Sequence, residues 1–448
     1  MHRTRLSLGA IALTAALLAG WPAAPALATT YEVGPGKPFA RLTEVVDLLD
    51  PGDLVLVYGN GATAYDETVI FEHPGTAAQP ITIRGVRVSG RRPILTSSGR
   101  ITVEFRASHY VFEGFEATGS GENHRVLYHH ADDITVRDTL IRDCPRNGLL
   151  GADQDSGSLL LDHVEVTRCG NGQFEHGIYM ATGLPGAVFR MQHSYIHDIN
   201  GGNAVKSRAN RNEIYFNWIE GGFYHELELI GPDDGTGGLP DSPREDSDVV
   251  GNVLIAGSDF PSLVRVGGDG TGQSWGRYRF VNNTFVVGQA NASVIRAFDG
   301  LESIELHNNV FVSAAGAGFT LVRTVEAEWR DGRVIAGSNN WIQSGSTIPP
   351  ELTGTLQGTS PGLVDLTAND LRPAAGSPLI DAGAGAPASP AGHAFPNPLF
   401  PPGAHPPQRT VAEGIAARRA VGPIDIGAYE FGTPPELSER LMLPLLRK

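Results

Sequence analysis

Lysine is almost missing from this 448-residue chain. Lys37, Lys206 and Lys448 are the only three, and the other 31 of its 34 basic residues are arginine. Charged residues make up just 19% of the sequence, and cysteine occurs twice, at Cys144 and Cys169. Two cysteines cannot form a disulfide scaffold, although one bridge is compatible with an oxidising compartment. After the first twenty residues no apolar run approaches the ~18 residues needed to cross a bilayer. Basic residues are also outnumbered, 34 against 49 acidic, which excludes the basic footprint of a nucleic-acid binder. A local basic groove remains compatible with that balance.

The residues present in excess are small. Glycine accounts for 56 positions and proline for 31, while 41% of the chain is hydrophobic. That combination implies many tight turns around a real core, far from collagen or disorder. Arg3 and Arg5, the apolar run Leu6–Leu18 and the Ala26-Leu27-Ala28 site have the form of a secretory leader over residues 1–28. The expected location is therefore the periplasm or the exterior. Loss of the leader leaves 32 basic against 49 acidic residues, a formal charge of −17.

One phrase recurs along the chain: alternating apolar residues, a small polar residue, then more apolar residues. It appears as YVFEGFEA (110–117), ITVRDTLI (134–141), LLLDHVEV (159–166), FRMQHSYI (189–196), EIYFNWIE (213–220), DVVGNVLI (248–255), YRFVNNTFVV (278–287) and IELHNNVFVS (304–313), with a looser copy at 334–343. Aligned on the polar residue, the anchors are Gly114, Asp138, His163, His193, Asn217, Asn252, Asn283, Asn309 and Asn340. A fixed core with variable insertions marks a solenoid. Period-2 strands without helix-length segments make it all-β, a right-handed parallel β-helix of roughly ten coils with the late asparagines stacked in a ladder. Cys144 and Cys169 each lie six residues after an anchor, in equivalent slots of adjacent coils, within disulfide reach. An open solenoid needs capped ends. Phe39–Leu49 has helical apolar spacing and is the expected N-terminal capping helix within a cap at about 31–60. An irregular C-terminal cap is expected at about 345–431 and a tail at 432–448. Residues 29–431 then form one domain, a monomer without a membrane span.

LRPAAGSPLIDAG (371–383) with DIGAYEF (425–431), YEVGPGKPF (31–39), PGDLVLV (51–57), HGIYM (176–180) and NAVKSRANRNEIYFN (203–217) resemble the opening, middle and closing coils of exported proteins of the pectate-lyase-like superfamily. The resemblance covers nearly all of the mature chain and implies the fold more than the reaction.

A second strand follows each phrase. Its outward slot reads Tyr179, Lys206, Glu228, Arg265, Arg296 and Arg323 along successive coils. A row of guanidinium groups suits the carboxylates of an acidic polysaccharide. Cleavage of such a polymer by β-elimination needs a base, a proton donor and a cation against the carboxylate. Lys206 is the expected base, Tyr179 the proton donor or the base in exchange, and Arg208 the neutralising cation. His176 and His225, at the starts of the flanking strands, are alternative acid–base groups. Val205-Lys206-Ser207 with Asn212 and Asn217 is similar to the lysine strand of the alginate lyase and chondroitinase B family, and that resemblance implies Lys206 as base. The family's calcium-binding acids upstream are replaced here by Asn200, Gly201, Gly202 and Asn203, and Glu228 stands where its arginine would.

The expected function is thus a polysaccharide lyase. A glycoside hydrolase using Glu226 or Glu228, as a pair or with an aspartate from 233–241, or a non-catalytic glycan-binding envelope protein, are the alternatives. No cofactor is required by the sequence. Calcium is possible at Glu226, Glu228, Asp233 and Asp234, which are oxygen-rich but lack EF-hand spacing. His163, His193 and His197 are expected as corner residues rather than ligands.

Overall fold

A computed structural model of the chain describes residues 28–151, 155–231, 244–257, 260–269, 273–288, 292–298, 300–325, 329, 331–395, 402–411, 414–432 and 437–438. The leader up to Leu27, nearly all of the C-terminal tail, and Asp233 and Asp234 lie outside the described residues. The chain winds as a parallel β-solenoid with three strands per coil. In one coil these are Arg211–Tyr215, Trp218–Glu220 and Leu227–Ile230. The first two belong to a 22-stranded sheet that bends at a corner, and the third to a ten-stranded sheet. On the ten-stranded sheet the strands stack in chain order from Val69–Phe71 to Thr320–Thr324, each parallel to the next.

Alternation along each strand fills the interior. Ile178, Met180, Val205, Leu227, Leu229, Val264, Val266 and Ile295 are wholly enclosed. Phenylalanines 71 and 105, 112 and 115, and 285 and 311 stack as pairs within the same core. Cys144 and Cys169 are joined by a disulfide, with Cα atoms 4.4 Å apart.

At the corner between Arg211–Tyr215 and Trp218–Glu220, amides replace apolar side chains. The Nδ2 of Asn217 donates to Oδ1 of Asn252 at 3.0 Å, and Asn252, Asn283, Asn309 and Asn340 continue the chain of contacts at 2.9–3.0 Å. Each Oδ1 also accepts the backbone N–H of the preceding asparagine, at 2.8–3.0 Å. Every buried amide in the run thus binds along the stack, which is why asparagine is tolerated in a dry corner.

Two expectations need correction. The anchor alignment slips by one residue between His193 and Asn217. Structurally, Tyr195 pairs with Trp218, so the ladder residue before Asn217 is Ser194, whose N–H donates to Asn217 Oδ1 at 3.0 Å. His163, His193, Phe216, Gly251, Asn282, Asn308 and Asn339 form a neighbouring row of positive φ. Turn and ladder positions are adjacent, and both favour Asn and related polar residues, so a polar anchor cannot distinguish them. The expected capping helix is instead two 3-10 turns, Leu42–Glu44 and Val46–Leu48. Leu42, Val45 and Leu49 do cover the first coil. The segment's β-branched Thr43, Val45 and Val46 lower its helix propensity, and Glu67 takes the N–H groups of Leu42 and Thr43 at 3.1 Å.

The C-terminal wrap hooks onto the positive-φ row. Asn282 Nδ2 donates to the carbonyls of Asp425 and Gly427, Asn308 to Ala384, and Asn339 to Ala382. At Gly251, with φ of 69°, an added Cβ would lie 2.7 Å from the Phe216 ring of the neighbouring coil and 3.1 Å from Pro402 of the wrap, so this crowded corner favours glycine.

The ladder's contribution is measurable. Asn283→Leu orphans the backbone N–H of Asn252 and one of its two amide hydrogens, the other staying on the Ile214 carbonyl, at roughly 1–3 kcal/mol per buried donor. The expected loss is roughly 2–6 kcal/mol in urea-unfolding stability, and a loss within experimental error would show that the ladder carries little.

Candidate functional site

The outward row exists in register. Tyr179 pairs with Lys206, Lys206 with Glu228, Glu228 with Arg265, Arg265 with Arg296 and Arg296 with Arg323. It continues backward through Leu150, Tyr128 and Glu104, positions that the sequence reading did not include. Its middle is a compact ionic cluster (Tyr179 to Asp269) rather than a line of independent charges.

Glu228 is the hub. Its Oε2 accepts from Asn203 Nδ2 at 2.6 Å and lies 3.7 Å from Lys206 Nζ, while its Oε1 accepts from Arg265 Nη1 at 2.9 Å. Although it points away from the core, Glu228 is only 4% exposed. A carboxylate so enclosed is stable only with such partners. Arg208 lies two residues beyond Lys206, on the same strand face. Its Nε donates to the Tyr179 hydroxyl at 3.1 Å, and its other nitrogens reach Asp269 and the carbonyl of Gly231. Asp269 also accepts from Arg265 Nη2 at 2.8 Å. Burial opposes ionisation of Asp269, but Arg265, Arg208 and Lys206 together hold its carboxyl below the usual range.

Arg208 is therefore a buried, fully engaged group that orients Tyr179, not a cation open to the groove. Asp269 and Asn203 complete the cluster. Asp269 sits in the Gly-rich GGDGTG segment that follows Arg265, where loop composition conceals a side chain aimed back at its own strand. Lys206 Nζ lies 4.9 Å from the Tyr179 ring centre. Farther along, Arg296 packs over the rings of Phe260 and Phe298 at 5.9 and 5.0 Å, and its Nε is buried without a hydrogen-bond partner. Desolvation, then the like charges of Arg265 and Arg323, hold its pKa below the ordinary arginine value. Among the described residues neither Arg296 nor the exposed Arg323 has an ion-pair partner.

His176 and His225 do not face the groove. Both occupy a second corner ladder, where His176 N–H donates to Asn147 Oδ1 at 2.8 Å and its Nδ1 accepts Asn203 N–H at 2.9 Å. His225 N–H and Nδ1 both meet Asn203 Oδ1, at 3.0 and 3.1 Å. Burial first, then the charge of Lys206, lowers the His176 pKa to about 3, and burial with Arg265 and Arg296 drives that of His225 well below normal. Burial favours the neutral imidazoles, and each hydrogen-bonds along the stack just before the strands that carry Tyr179 and Glu228. His176 meets the edge of the Tyr179 ring at 5.4 Å.

Glu226 and Glu228 are not brought together either. Glu226 sits just before its strand in a core-facing row with Ala204 and Leu263, and its Oε1 accepts Gly257 N–H at 2.9 Å. Burial pushes its pKa up to about 8. Glu226 and Glu228 are therefore not assembled as an acid pair or as joint calcium ligands, while the aspartates at 233–241 that the hydrolase and calcium readings also invoke lie outside the described residues.

No protein-family model matches the chain, and no curated protein matches it. Solved structures do. Pectate lyase Pel9A superposes with a TM-score of 0.50 at 13% identity, over 90% of this chain and 97% of that one. The chain shares the parallel β-helix fold of that enzyme. A PL6 family polysaccharide lyase from Pseudopedobacter saltans (TM-score 0.42, 14% identity, 70% and 89% covered) and an alginate lyase from Paenibacillus sp. str. FPU-7 (0.36, 16%, 71% and 95%) are also similar. At these identities the likeness concerns architecture.

Glu226 gives a signed prediction. Its folded pKa of about 8 exceeds the ordinary 4.5, so between those values the folded chain binds more protons than the unfolded one. Stability contributed by the neutral acid is complete below about pH 4.5 and is lost as pH rises towards 8, by up to about 1.4 kcal/mol per unit. Urea midpoints for Glu226→Gln should diverge upward from those of the parent across that window. Parallel curves would show that Glu226 is ionised when folded.

Proposed function

We propose that the protein is a carbohydrate-active enzyme, a polysaccharide lyase that cleaves a uronate-containing polymer by β-elimination along the Tyr179–Arg323 row. The observation that carries this is the order of groups in one register: a guanidinium-bound phenol, an amine, a carboxylate, then arginines of which the last two lack ionic partners among the described residues. Coils about 4.8 Å apart place successive cations along an extended chain.

Tyr179 and Lys206 share the proton work. The hydrogen bond from Arg208 to the Tyr179 oxygen favours the phenolate, whereas Glu228 beside Lys206 favours the ammonium. This exchanges the roles that the lysine-strand resemblance implies. Tyr179 takes the C5 proton, the C–H electron pair becomes the C4–C5 double bond, the C4–O bond breaks, and Lys206 returns a proton to the departing oxygen. Arg265, held by Glu228 and Asp269, adds positive charge beside the reacting carboxylate, and Arg296 and Arg323 hold the carboxylates that follow. Asp269 and Glu228 keep Arg208, Lys206 and Arg265 in position without neutralising them: the three cations face two carboxylates, and Arg296 and Arg323 add two more positive charges.

The test is incubation with pectate, alginate, glycosaminoglycans and neutral glycans, with near-ultraviolet absorbance and reducing ends followed together. Absorbance that rises with new ends supports elimination. New ends without absorbance would overturn it in favour of hydrolysis, and binding without either would leave a non-catalytic glycan binder. Tyr179→Phe and Lys206→Ala should each lower kcat by about 100-fold or more, as for loss of a general acid or base. Arg296→Gln should instead raise KM for long substrate, more at low than at high salt. A Tyr179→Phe enzyme of full activity would remove the phenol from the mechanism.

A further inference from the structure

On the 22-stranded sheet, away from the arginine row, three metal-ligating side chains converge. Asp162 Oδ1 lies 2.8 Å from His163 Nδ1 and 3.1 Å from His193 Nδ1, and the three donor atoms fall within 4.8 Å of one another. The two imidazoles come from equivalent positive-φ positions of adjacent coils, so the stacking itself brings them together. Beside them is a cavity of about 220 Å3, between the coils and the C-terminal wrap, lined by His163, His193, His405 and Tyr429. Tyr429 is 3% exposed, and among the described residues its hydroxyl has no hydrogen-bond partner. A buried phenol without a partner is costly, and its presence on this cavity wall calls for a ligand.

We propose that Asp162, His163 and His193 bind a divalent transition-metal ion whose open position faces this cavity. Ligands about 2.0–2.2 Å from a tetrahedral ion stand roughly 3.3–3.5 Å apart, so the observed spacings need only small adjustment. Two imidazoles and one carboxylate suit zinc or its first-row neighbours, whereas calcium and magnesium prefer all-oxygen sets. Arg137 Nε, 3.5 Å from the other Asp162 oxygen, holds the carboxylate from outside. A water or ligand group in the cavity would give Tyr429 its missing partner. This site is independent of the lyase reading.

The test uses the full chain after dialysis against a chelator. Zinc is titrated by calorimetry, and cobalt by its visible absorption, which reports coordination directly. One equivalent is expected to bind, with a cobalt band of tetrahedral or five-coordinate intensity. The double substitution His163→Asn and His193→Asn should weaken binding at least about 10-fold. Asparagine accepts the same backbone conformation at Asn282 and Asn308, so the corner is preserved. If circular dichroism shows the double variant unfolded, His193→Asn alone is judged by the same criterion. Absence of saturable binding to the parent chain, or equal affinity in a folded variant, overturns the site. Lys206→Ala should bind zinc as the parent does, which separates this outcome from the fate of the groove.

Discussion

Everything in this molecule depends on the parallel register between one coil and the next. Backbone hydrogen bonds fix the spacing of neighbouring strands, and the ladder Asn217–Asn252–Asn283–Asn309–Asn340 fixes their phase at one corner. Once phase is set, a side chain at one slot meets the same slot above and below it. Rows, rather than loops brought together from distant regions, are therefore the natural unit of function here. The Tyr179–Arg323 row, the Asn147–His176–Asn203–His225 spine and the Asp162–His163–His193 cluster are three expressions of one rule.

Charge then differentiates the rows. The chain is acidic overall, yet Lys206, Arg208, Arg265, Arg296 and Arg323 converge on one stretch of surface with Glu228 and Asp269 between them. The two carboxylates do different work from an ordinary surface salt bridge. Multiply hydrogen-bonded, with Glu228 buried and Asp269 partly so, they hold long cationic side chains in fixed geometry while leaving the patch net positive. The wrap side of the solenoid is organised differently, by amide hooks from Asn282, Asn308 and Asn339.

How far the sequence disclosed this depends on locality. The outward row was legible to the residue, because period-2 alternation and a recurring phrase fix both face and slot. The cysteine pair was legible for the same reason. The anchor slip at His193 arose where two adjacent slots accept similar residues. His176, His225 and Glu226 were misplaced because they lie at strand starts, where the chain turns and alternation no longer tells groove from interior. Asp269 was missed because it follows the end of its strand, past the alternation, and its second partner Arg208 comes from another coil; Tyr429 was missed because the wrap brings it to the coils and no local pattern encodes that approach. The N-terminal cap showed the right apolar spacing in the wrong helix, since β-branched residues and Glu67 favour tight turns.

The disulfide has a mechanical consequence. Each coil of a solenoid touches only its neighbours, so tension on the N-terminus peels coils away in sequence. The Cys144–Cys169 bond lies across that route. With a sequence separation of 25 residues, it closes a loop about one coil long, so tension passes from one sulfur to the other and the enclosed chain bears none. The next residues under load lead directly into the strands that carry Tyr179 and Lys206. An oxidising environment thus gives the groove a rivet on its upstream side, and a reducing one removes that rivet without altering a single groove residue.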